Sequence, residues 1–349
     1  MTMQSTQLRL AAYPVGEPQD DDFEQVSVDL PGLEDGQVLL RTIYLSLDPY
    51  MRGRMSTARS YAAPVELGEV MVGGTVCEVV ESRSDRRTVG DIVLAFTGWQ
   101  THAVADARHT RLLDPAEAPL STALGVLGMP GFTAYAGLLE IGRPQPGETV
   151  AVAAATGPVG SAVGQIARLK GARAVGIAGG PEKCRALVEE LGFDAAVDHR
   201  SPTFVDDLAE ATPDGIDVYF ENVGGHVADA AVRRLNRFAR VPVCGLVAGY
   251  NDIDVATGVD RLPGFMRRVL TLSLTVRGFI QDEFAPTHHQ AFLRDMAGWV
   301  RDGSVRYRED VVEGLDQAPE AFRGLLAGRN FGKLVVRVGK EPPADSPSG

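Results

Sequence analysis

The feature that most constrains the fold is a glycine-rich turn between two predicted strands, within Thr149–Lys183. Residues 150–155 are small and apolar, as expected of a buried strand in a parallel sheet. A helical pattern with one apolar face follows, and a second apolar run covers Arg173–Ala178. This order of strand, turn, helix and strand predicts a βαβ unit of a doubly wound parallel sheet.

The turn itself, Ala155–Gly160, reads ATGPVG and is an A-x-G-x-x-G variant of the dinucleotide-binding fingerprint. One glycine of this fingerprint lets the backbone approach the pyrophosphate, and another lets the helix pack closely on the strand. The helix N-terminus offers free N–H groups and the positive end of the helix dipole. The sequence therefore predicts that Gly157, Pro158, Val159 and Gly160 bind the pyrophosphate of a dinucleotide.

The end of the second strand indicates which dinucleotide is bound. An NAD site usually has Asp or Glu there, bonded to the ribose 2′-OH, whereas this chain has Ala178, Gly179 and Gly180. Lys183 follows and is placed to attract a 2′-phosphate as a point charge. The alternative is a solvated lysine, but a cation in the first turn of a helix opposes the dipole. We therefore predict NADP(H), with the adjacent acid Glu182 as the opposing observation.

Composition excludes several classes of function. The net charge of −12 and the pI near 5.0 argue against a general binder of nucleic acid or of anionic membranes. The chain has no apolar window of 18 residues, and its start has no apolar core of the kind that secretory signals have. Three separated cysteines without a C-x-x-C pair indicate a reducing cytoplasm and no metal site.

The pattern along the chain changes twice. Residues before about 120 have short β-type runs between turns, a βαβ alternation follows, and β-type sequence returns near Val305. We predict one helix over Leu120–Leu127 and a second over Phe132–Glu140. The predicted domains are a β domain (1–123), an inserted nucleotide-binding domain (124–308), a return to the β domain (309–340) and a disordered tail (341–349).

Four further motifs together resemble those of one family. They are DPYMRGRM (Asp48–Met55), GMPGFTAYAGL (Gly128–Leu138), ENVGG (Glu221–Gly225) and NFGK (Asn330–Lys333). In this order they resemble the zinc-independent medium-chain dehydrogenases and reductases, specifically the prostaglandin reductase, leukotriene B4 12-hydroxydehydrogenase and 2-alkenal reductase group. The resemblance implies an α/β chain with a GroES-like β domain plus a Rossmann domain. It also implies NADPH-dependent reduction of α,β-unsaturated ketones or aldehydes, with a small enone or enal as the partner.

The resemblance also implies the roles of individual residues. It assigns the turn at Gly157–Gly160 to the pyrophosphate and Lys183 to the 2′-phosphate, and it places His199 where the family often has a tyrosine beside that phosphate. The other residues that it implies for the cofactor are Asn222, Cys244, Gly245, Leu246, Tyr250, Phe279, Ile280 and Asn330. Taken alone, several have plainer interpretations: Asn222 as a turn residue, Cys244 as a small strand residue, Tyr250 as a half-buried tyrosine and Asn330 as a cap.

Catalysis is assigned less completely. We predict that Tyr50 donates a hydrogen bond to the substrate carbonyl, with packing beneath the cleft as its alternative role, and that Arg52 is structural. Some relatives have a tyrosine that is proposed to help protonate the enolate, but residues 265–272 contain none. A water oriented by Thr271, bulk water or the nicotinamide ribose hydroxyl then remains as the proton source.

Three other functions compete with this interpretation. An NADPH quinone reductase uses a related fold, and a nucleotide-binding sensor without activity is compatible with the fold alone. A zinc alcohol dehydrogenase is disfavoured because no ligand spacing is present. The sequence leaves open whether the chain forms a homodimer.

Overall fold

The computed structural model describes residues 3–251 and 260–342. The described residues form two compact units. One comprises those of Met1–Leu124, Glu309–Asn330 and Leu334–Gly349, and the other comprises those of Gly125–Arg308 and Phe331–Lys333. The assignment of these units to substrate and cofactor stays a prediction.

The first unit is built mainly from antiparallel strands. Up to residue 124 its elements are β1 (Gln4–Leu10), β2 (Phe23–Asp29), β3 (Gln37–Ser46), α1 (Tyr50–Arg54), β4 (Thr75–Ser82), β5 (Ile92–Ala95), β6 (His102–Asp106) and β7 (Arg111–Leu113), with short 3-10 helices at Asp20–Asp22, Ala107–His109 and Leu120–Leu124. The core of this unit surrounds Trp99, which stacks on Phe23 at 5.6 Å and meets the edge of Phe322 at 5.7 Å between ring centroids.

The second unit alternates strands and helices. Its elements are α2 (Met129–Ala136), a π-helix (Gly137–Gly142), β8 (Thr149–Ala153), α3 (Pro158–Leu169), β9 (Arg173–Ala178), α4 (Pro181–Glu189), β10 (Ala195–Asp198), α5 (Phe204–Ala211), β11 (Ile216–Phe220), α6 (Gly225–Arg233), β12 (Leu235–Val243), α7 (Leu262–Thr271), β13 (Thr275–Gly278) and α8 (Ala285–Arg301), with 3-10 turns at Val247–Gly249 and Gln281–Glu283.

The chain then returns to the first unit through β14 (Glu309–Glu313), a 3-10 turn (Leu315–Gln317), α9 (Ala318–Leu326) and β15 (Lys333–Arg337). Among the described strands, the large sheet of this unit has the order β14-β15-β3-β4-β5-β7, with β6 also paired to β3. Because β3 lies in the middle of this sheet, eight of its ten residues are buried.

The sheet of the second unit is parallel, and its described strands have the order β10-β9-β8-β11-β12-β13. Val150 and Val152 of the buried strand β8 face one hydrophobic cluster, and Ala151 and Ala153 face another. Helices cover both faces, and the order reverses between β8 and β11. This is the doubly wound arrangement in which ligands bind at the carboxyl ends of the strands beside the reversal. The predicted fold class is therefore confirmed.

Several predicted element boundaries were wrong. Only Leu120–Leu124 of the first predicted helix is helical, as a 3-10 segment, because Gly128 adopts an extended conformation as the N-cap of α2. The second predicted helix begins earlier, at Met129, and its last part is the π-helix, in which the Arg143 N–H bonds to the Leu138 carbonyl at 2.7 Å. Helix α6 ends at Arg233, and Leu235 already begins β12.

Two general findings complete the description. No helix within residues 3–251 and 260–342 is long and apolar enough to cross a membrane. Residues 343–349 of the predicted tail lie outside the described residues, whereas Glu341 accepts a hydrogen bond from the Tyr44 hydroxyl.

Candidate functional site

The glycine turn after β8 brings helix α3 very close to the strand. Ala154 has a positive φ of 51°, and its carbonyl accepts a hydrogen bond from the Gly157 N–H at 3.0 Å. A Cβ on Gly160 would lie 2.5 Å from that same carbonyl oxygen and 2.8 Å from the Ala155 Cα. Since both contacts are with backbone atoms, only glycine fits at position 160 without a shift of the turn.

The first turn of α3 has the chemistry of an anion site. Gly157 is the N-cap and Pro158 the first helical residue, and the first bond within the helix runs from the Ser161 N–H to the Gly157 carbonyl at 2.9 Å. The initial N–H groups of a helix have no partner within it. Because Pro158 has no N–H, the groups presented at this end are those of Val159 and Gly160. The turn therefore suits the pyrophosphate of a dinucleotide.

Asn222 lies beside this turn. Strand β11 ends at Phe220, Glu221 follows it, and Asn222 comes next. Its side-chain amide donates to the carbonyl of Ala153, the last residue of β8, at 2.8 Å. The Glu221 carboxylate accepts the N–H groups of Val223 and Gly224 at 2.6 and 2.9 Å and so fixes the start of the ENVGG turn. Asn222 thus joins the carboxyl ends of the two strands between which the strand order reverses.

The predicted loop from Cys244 to Tyr250 is tied to that turn by backbone hydrogen bonds. The N–H groups of Cys244 and Gly245 both donate to the Glu221 carbonyl, at 2.9 and 3.2 Å. Leu246 is half exposed and its side chain lies against Gly224, while the Tyr250 hydroxyl lies close to Gly245. The predicted residues Asn222, Gly245, Leu246 and Tyr250 are therefore close together.

Burial raises the pKa of two ionisable groups in this region. Burial and the neighbouring charge of Glu221 raise the pKa of the Cys244 thiol to about 12. Burial also raises the pKa of Glu221, although the hydrogen bonds from Gly224 and Val223 oppose the shift. The high pKa of Cys244 agrees with its interpretation as a small packing residue that lacks a reactive thiolate.

The tips of β9 and β10 form the second part of the site. The His199 N–H donates to the Ala178 carbonyl at 3.0 Å, and the Asp198 carboxylate accepts the N–H of Gly180 at 2.8 Å and that of Arg200 at 2.9 Å. These backbone bonds occupy the Asp198 oxygen that they share. They also fix His199 at the carboxyl end of β9, where an NADP site holds the adenosine ribose.

Two of the predicted ligands for the 2′-phosphate lie at this end of the sheet. Lys183 is the third residue of α4, which begins directly after Gly180, and it is half-buried. Burial and the nearby charges of His226 and Arg200 lower the pKa of His199, so its imidazole is neutral at pH 7. A neutral imidazole still donates one hydrogen bond to a phosphate.

Phe279 and Ile280 lie at the end of the edge strand β13. The Phe279 ring is buried, and its centroid lies 6.2 Å from that of Phe220 and 6.0 Å from that of Phe284. It also packs against Gly137, where a Cβ would lie 2.3 Å from the ring. The Phe279 side chain is therefore part of the core, and its predicted contact with a cofactor stays a prediction.

Tyr50 and Asn330 belong to the first unit. Tyr50 begins α1, its side chain packs against a core cluster around Met51 and Trp99, and burial followed by the charge of Asp48 raises its pKa. Asn330 is half-buried and follows α9. All the other predicted site residues belong to the second unit.

Arg52 is expected to be structural, and Thr271 is one candidate to orient a water that supplies the proton. Arg52 is buried and donates to the Gly16 carbonyl at 2.8 Å, as expected of a structural arginine. Thr271 donates its hydroxyl to the Arg267 carbonyl within α7 at 2.9 Å, so its proton is already used. Among the residues that the structure describes, no group of three or more His, Cys, Asp and Glu side chains could hold a metal ion.

Arg200 was not among the predicted site residues, although its side chain lies over the tip of β9. A Cβ on Gly179 would lie 2.8 Å from Arg200 Nε and 2.9 Å from His199 Nε2. Arg200 lies two residues past β10 in the chain, and this sequence position alone does not indicate a place over the end of β9. What was missing was the pairing of Asp198 with Ala178, which brings the two strand tips together.

A parallel doubly wound sheet with a glycine turn and polar side chains at its order reversal is typical of dinucleotide-dependent oxidoreductases. Residues 6–113 match the family model described as the N-terminal domain of oxidoreductase, and residues 158–290 match that described as zinc-binding dehydrogenase. The chain belongs to the medium-chain dehydrogenases and reductases, in the zinc-independent group that includes the prostaglandin reductases.

Three relatives illustrate this membership. The chain is 53% identical to the NADPH-dependent curcumin reductase of Escherichia coli (strain K12), over 94% of this chain and 95% of that protein. It is 41% identical to prostaglandin reductase 1 of Bos taurus, over 94% and 98%. The crystal structure of CurA from Vibrio vulnificus in complex with NADPH has a TM-score of 0.93 and 49% identity, over 96% of this chain and all of that one.

Proposed function

We propose that the protein reduces the carbon–carbon double bond of α,β-unsaturated ketones or aldehydes with NADPH. The observation that carries the proposal is the 53% identity to a curcumin reductase over 94% of the chain. The 41% identity to a prostaglandin reductase supports the same class of substrate.

The proposed cofactor is NADP(H), and the described residues fit it. Glycine at position 160 lets α3 approach the Ala154 carbonyl closely, and the N-terminus of α3 that follows the turn suits a pyrophosphate. At the tip of β9, Gly179 and Gly180 replace the acid that would repel a 2′-phosphate, and Lys183 and His199 supply a cation and a hydrogen-bond donor. When bound, the nicotinamide supplies the hydride that adds to the substrate β-carbon.

In the proposal, residues of the chain hold the cofactor in a fixed orientation. Asn222 and the loop from Gly245 to Tyr250 form the floor beside the order reversal, because their backbone is held by Glu221. In the proposal, Ile280 and the backbone of Phe279 lie beside the nicotinamide of the cofactor. Asn330, which comes near the end of the chain, also contacts the cofactor. Fixed orientation of this kind accounts for a large share of the rate in two-substrate reactions.

Tyr50 is the proposed donor to the substrate carbonyl. Negative charge develops on that oxygen when hydride reaches the β-carbon, and a donor that is already in place stabilises it. Since burial raises the pKa of Tyr50, its hydroxyl keeps its proton throughout the physiological range. We propose water as the source of the α-carbon proton, because residues 265–272 contain no tyrosine and the Thr271 hydroxyl is bonded within its helix.

A substrate panel tests the proposal. NADPH oxidation is measured with a straight-chain enone, an enal, curcumin and a quinone, and NADP⁺ reduction is measured with a primary alcohol. We expect turnover on the first three, whereas turnover on the quinone alone would identify a quinone reductase. NADPH binding with turnover on none of them would identify a sensor without activity.

Tyr50→Phe tests the donor within the same assay. Loss of one oxyanion donor can lower kcat by roughly 100-fold to 1,000-fold, and we expect at least a several-fold loss here. Tyr13→Phe is the matched control, because Tyr13 packs against the same core cluster and its hydroxyl donates to the Val65 carbonyl at 3.0 Å. An unchanged kcat in Tyr50→Phe would remove Tyr50 from the mechanism.

We also propose that the protein forms a homodimer through the edge of its parallel sheet. All four residues of β13 are exposed, and β12 is its one neighbour among the described strands. The preceding helix α7 exposes Leu262, Met266 and Leu270, the last at 80%. An open strand edge beside exposed apolar side chains favours pairing with a second copy of the chain. The three cysteines are free, and we propose the reducing cytoplasm as the compartment.

A further inference from the structure

Arg200 occupies an unusual position for an exposed arginine. It follows β10, and its backbone N–H is held by the Asp198 carboxylate at 2.9 Å. From there its side chain crosses to the neighbouring strand, so that its Nε would lie 2.8 Å from a Cβ on Gly179 and its Cζ 3.1 Å from it. The guanidinium therefore lies over the end of β9.

The charges around the guanidinium leave it available to an anion. The Asp198 oxygen that holds the Arg200 backbone also accepts the N–H of Gly180, so this carboxylate is oriented toward the backbone. Among the described residues, the guanidinium of Arg200 has no hydrogen bond or salt bridge, although its charge contributes to the lowered pKa of the nearby Asp198 carboxylate. Its charge also contributes to the lowered pKa of its neighbour His199.

His199 supplies a second observation at the same place. Its Nε2 lies against Gly179 from the same side, 2.9 Å from where a Cβ would be. Its Nδ1 is buried and has no hydrogen-bond partner among the described residues. A buried ring nitrogen without a partner costs free energy unless a ligand or water completes it.

We propose that Arg200 is a second cation for the ribose 2′-phosphate and the main determinant of the preference for NADPH over NADH. This inference rests on the proposed function and deepens it. The planar guanidinium can bind two phosphate oxygens at once, whereas Lys183 provides a point charge. A side chain at position 179 would displace the side chains of Arg200 and His199 from the places that they occupy against Gly179.

The test compares Arg200→Ala and Arg200→Lys with Arg185→Ala. Arg185 is the matched control because it is an exposed arginine on α4, two residues beyond Lys183. The KM for NADPH, the KM for NADH and kcat are measured in each variant. Binding of 2′-AMP and 5′-AMP is measured by calorimetry, which requires no turnover.

We expect Arg200→Ala to raise the KM for NADPH and the Kd for 2′-AMP by roughly 10-fold to 100-fold, since hydrogen bonds to charged groups are strong. The KM for NADH, the Kd for 5′-AMP and kcat should stay within about twofold, as expected for a residue that contacts only the phosphate. Arg200→Lys should lose less than Arg200→Ala because it keeps the charge. Arg185→Ala should match the wild type.

Two outcomes would overturn the inference in different ways. If the wild type prefers 2′-AMP but Arg200→Ala leaves that preference unchanged, Arg200 is not a ligand and the proposed function stands. If the wild type does not distinguish 2′-AMP from 5′-AMP, the NADPH assignment itself fails. Equal losses for NADPH and NADH in Arg200→Ala would identify a structural role and would also contradict the inference.

Discussion

At the scale of single residues, the site depends on glycines that allow other groups to approach. Gly160 allows α3 to approach the end of β8, and Gly179 allows side chains from β10 to lie over the end of β9. Neither glycine contributes a side-chain functional group. Each is needed because a Cβ would occupy the space of a neighbouring group.

Gly160→Ala tests this argument. The added methyl would meet the Ala154 carbonyl oxygen at 2.5 Å, and since both atoms belong to backbone-fixed positions, the turn must shift. We expect destabilisation of about 1–3 kcal/mol, the usual cost of overpacking, and a large rise in the KM for NADPH. The melting temperature and the KM are the measurements.

Gly298→Ala is the control for Gly160→Ala. Gly298 lies within α8 and has no atom within 4 Å of a Cβ position, so alanine there should stabilise by up to about 1 kcal/mol through helix propensity. Equal behaviour of the two variants would show that the approach of α3 to β8 is not what makes position 160 special.

At the scale of elements, the sequence could predict the helices and strands whose determining residues are adjacent in the chain. The βαβ unit around Gly157 could be predicted because a buried apolar strand, a glycine turn and an amphipathic helix are adjacent in the chain. The predicted helix over Leu120–Leu127 was wrong. Its apolar content suggested a helix, but the 3-10 segment ends at Leu124, before Gly125, and Gly128 is the extended N-cap of α2. The π-helix after Ala136 could not be foreseen either, since the ring of Phe279 that packs against Gly137 comes from a distant strand.

The candidate site divides in the same way. Lys183 could be predicted from its distance after the glycines, since a helix follows each strand of such a fold at a regular spacing. Arg200 could not, because its position over Gly179 depends on the parallel pairing of β10 with β9. The role of Asn222 as a bridge to Ala153 likewise requires the pairing of β11 with β8.

The edge strand β13 and helix α7 carry the prediction of a homodimer. We expect light scattering after gel filtration to give about twice the chain mass of 37.2 kDa. Leu270→Glu, which places a charge on the most exposed apolar side chain of α7, should shift the protein toward monomer. Leu112→Glu is the control, because Leu112 is 53% exposed on β7 of the other unit. A wild type that is monomeric at all concentrations would contradict the proposal.

At the scale of the whole molecule, the described residues combine a β-rich unit with a parallel-sheet unit inserted into it. The inserted unit contains most of the predicted cofactor residues, and the β-rich unit contains Tyr50 and Asn330. Family membership is shared by enzymes of several reaction types, so the reaction itself needs a direct measurement.

The most direct measurement is the position of deuterium in the product of an enone. The enzyme is supplied with NADPH deuterated at the transferred position, and in a second reaction with ordinary NADPH in D₂O. Addition of hydride to the β-carbon and of a solvent proton to the α-carbon predicts one deuterium at the β-carbon in the first reaction and one at the α-carbon in the second, with the carbonyl intact. Deuterium from NADPH on the carbonyl carbon, with the double bond retained, would contradict the account.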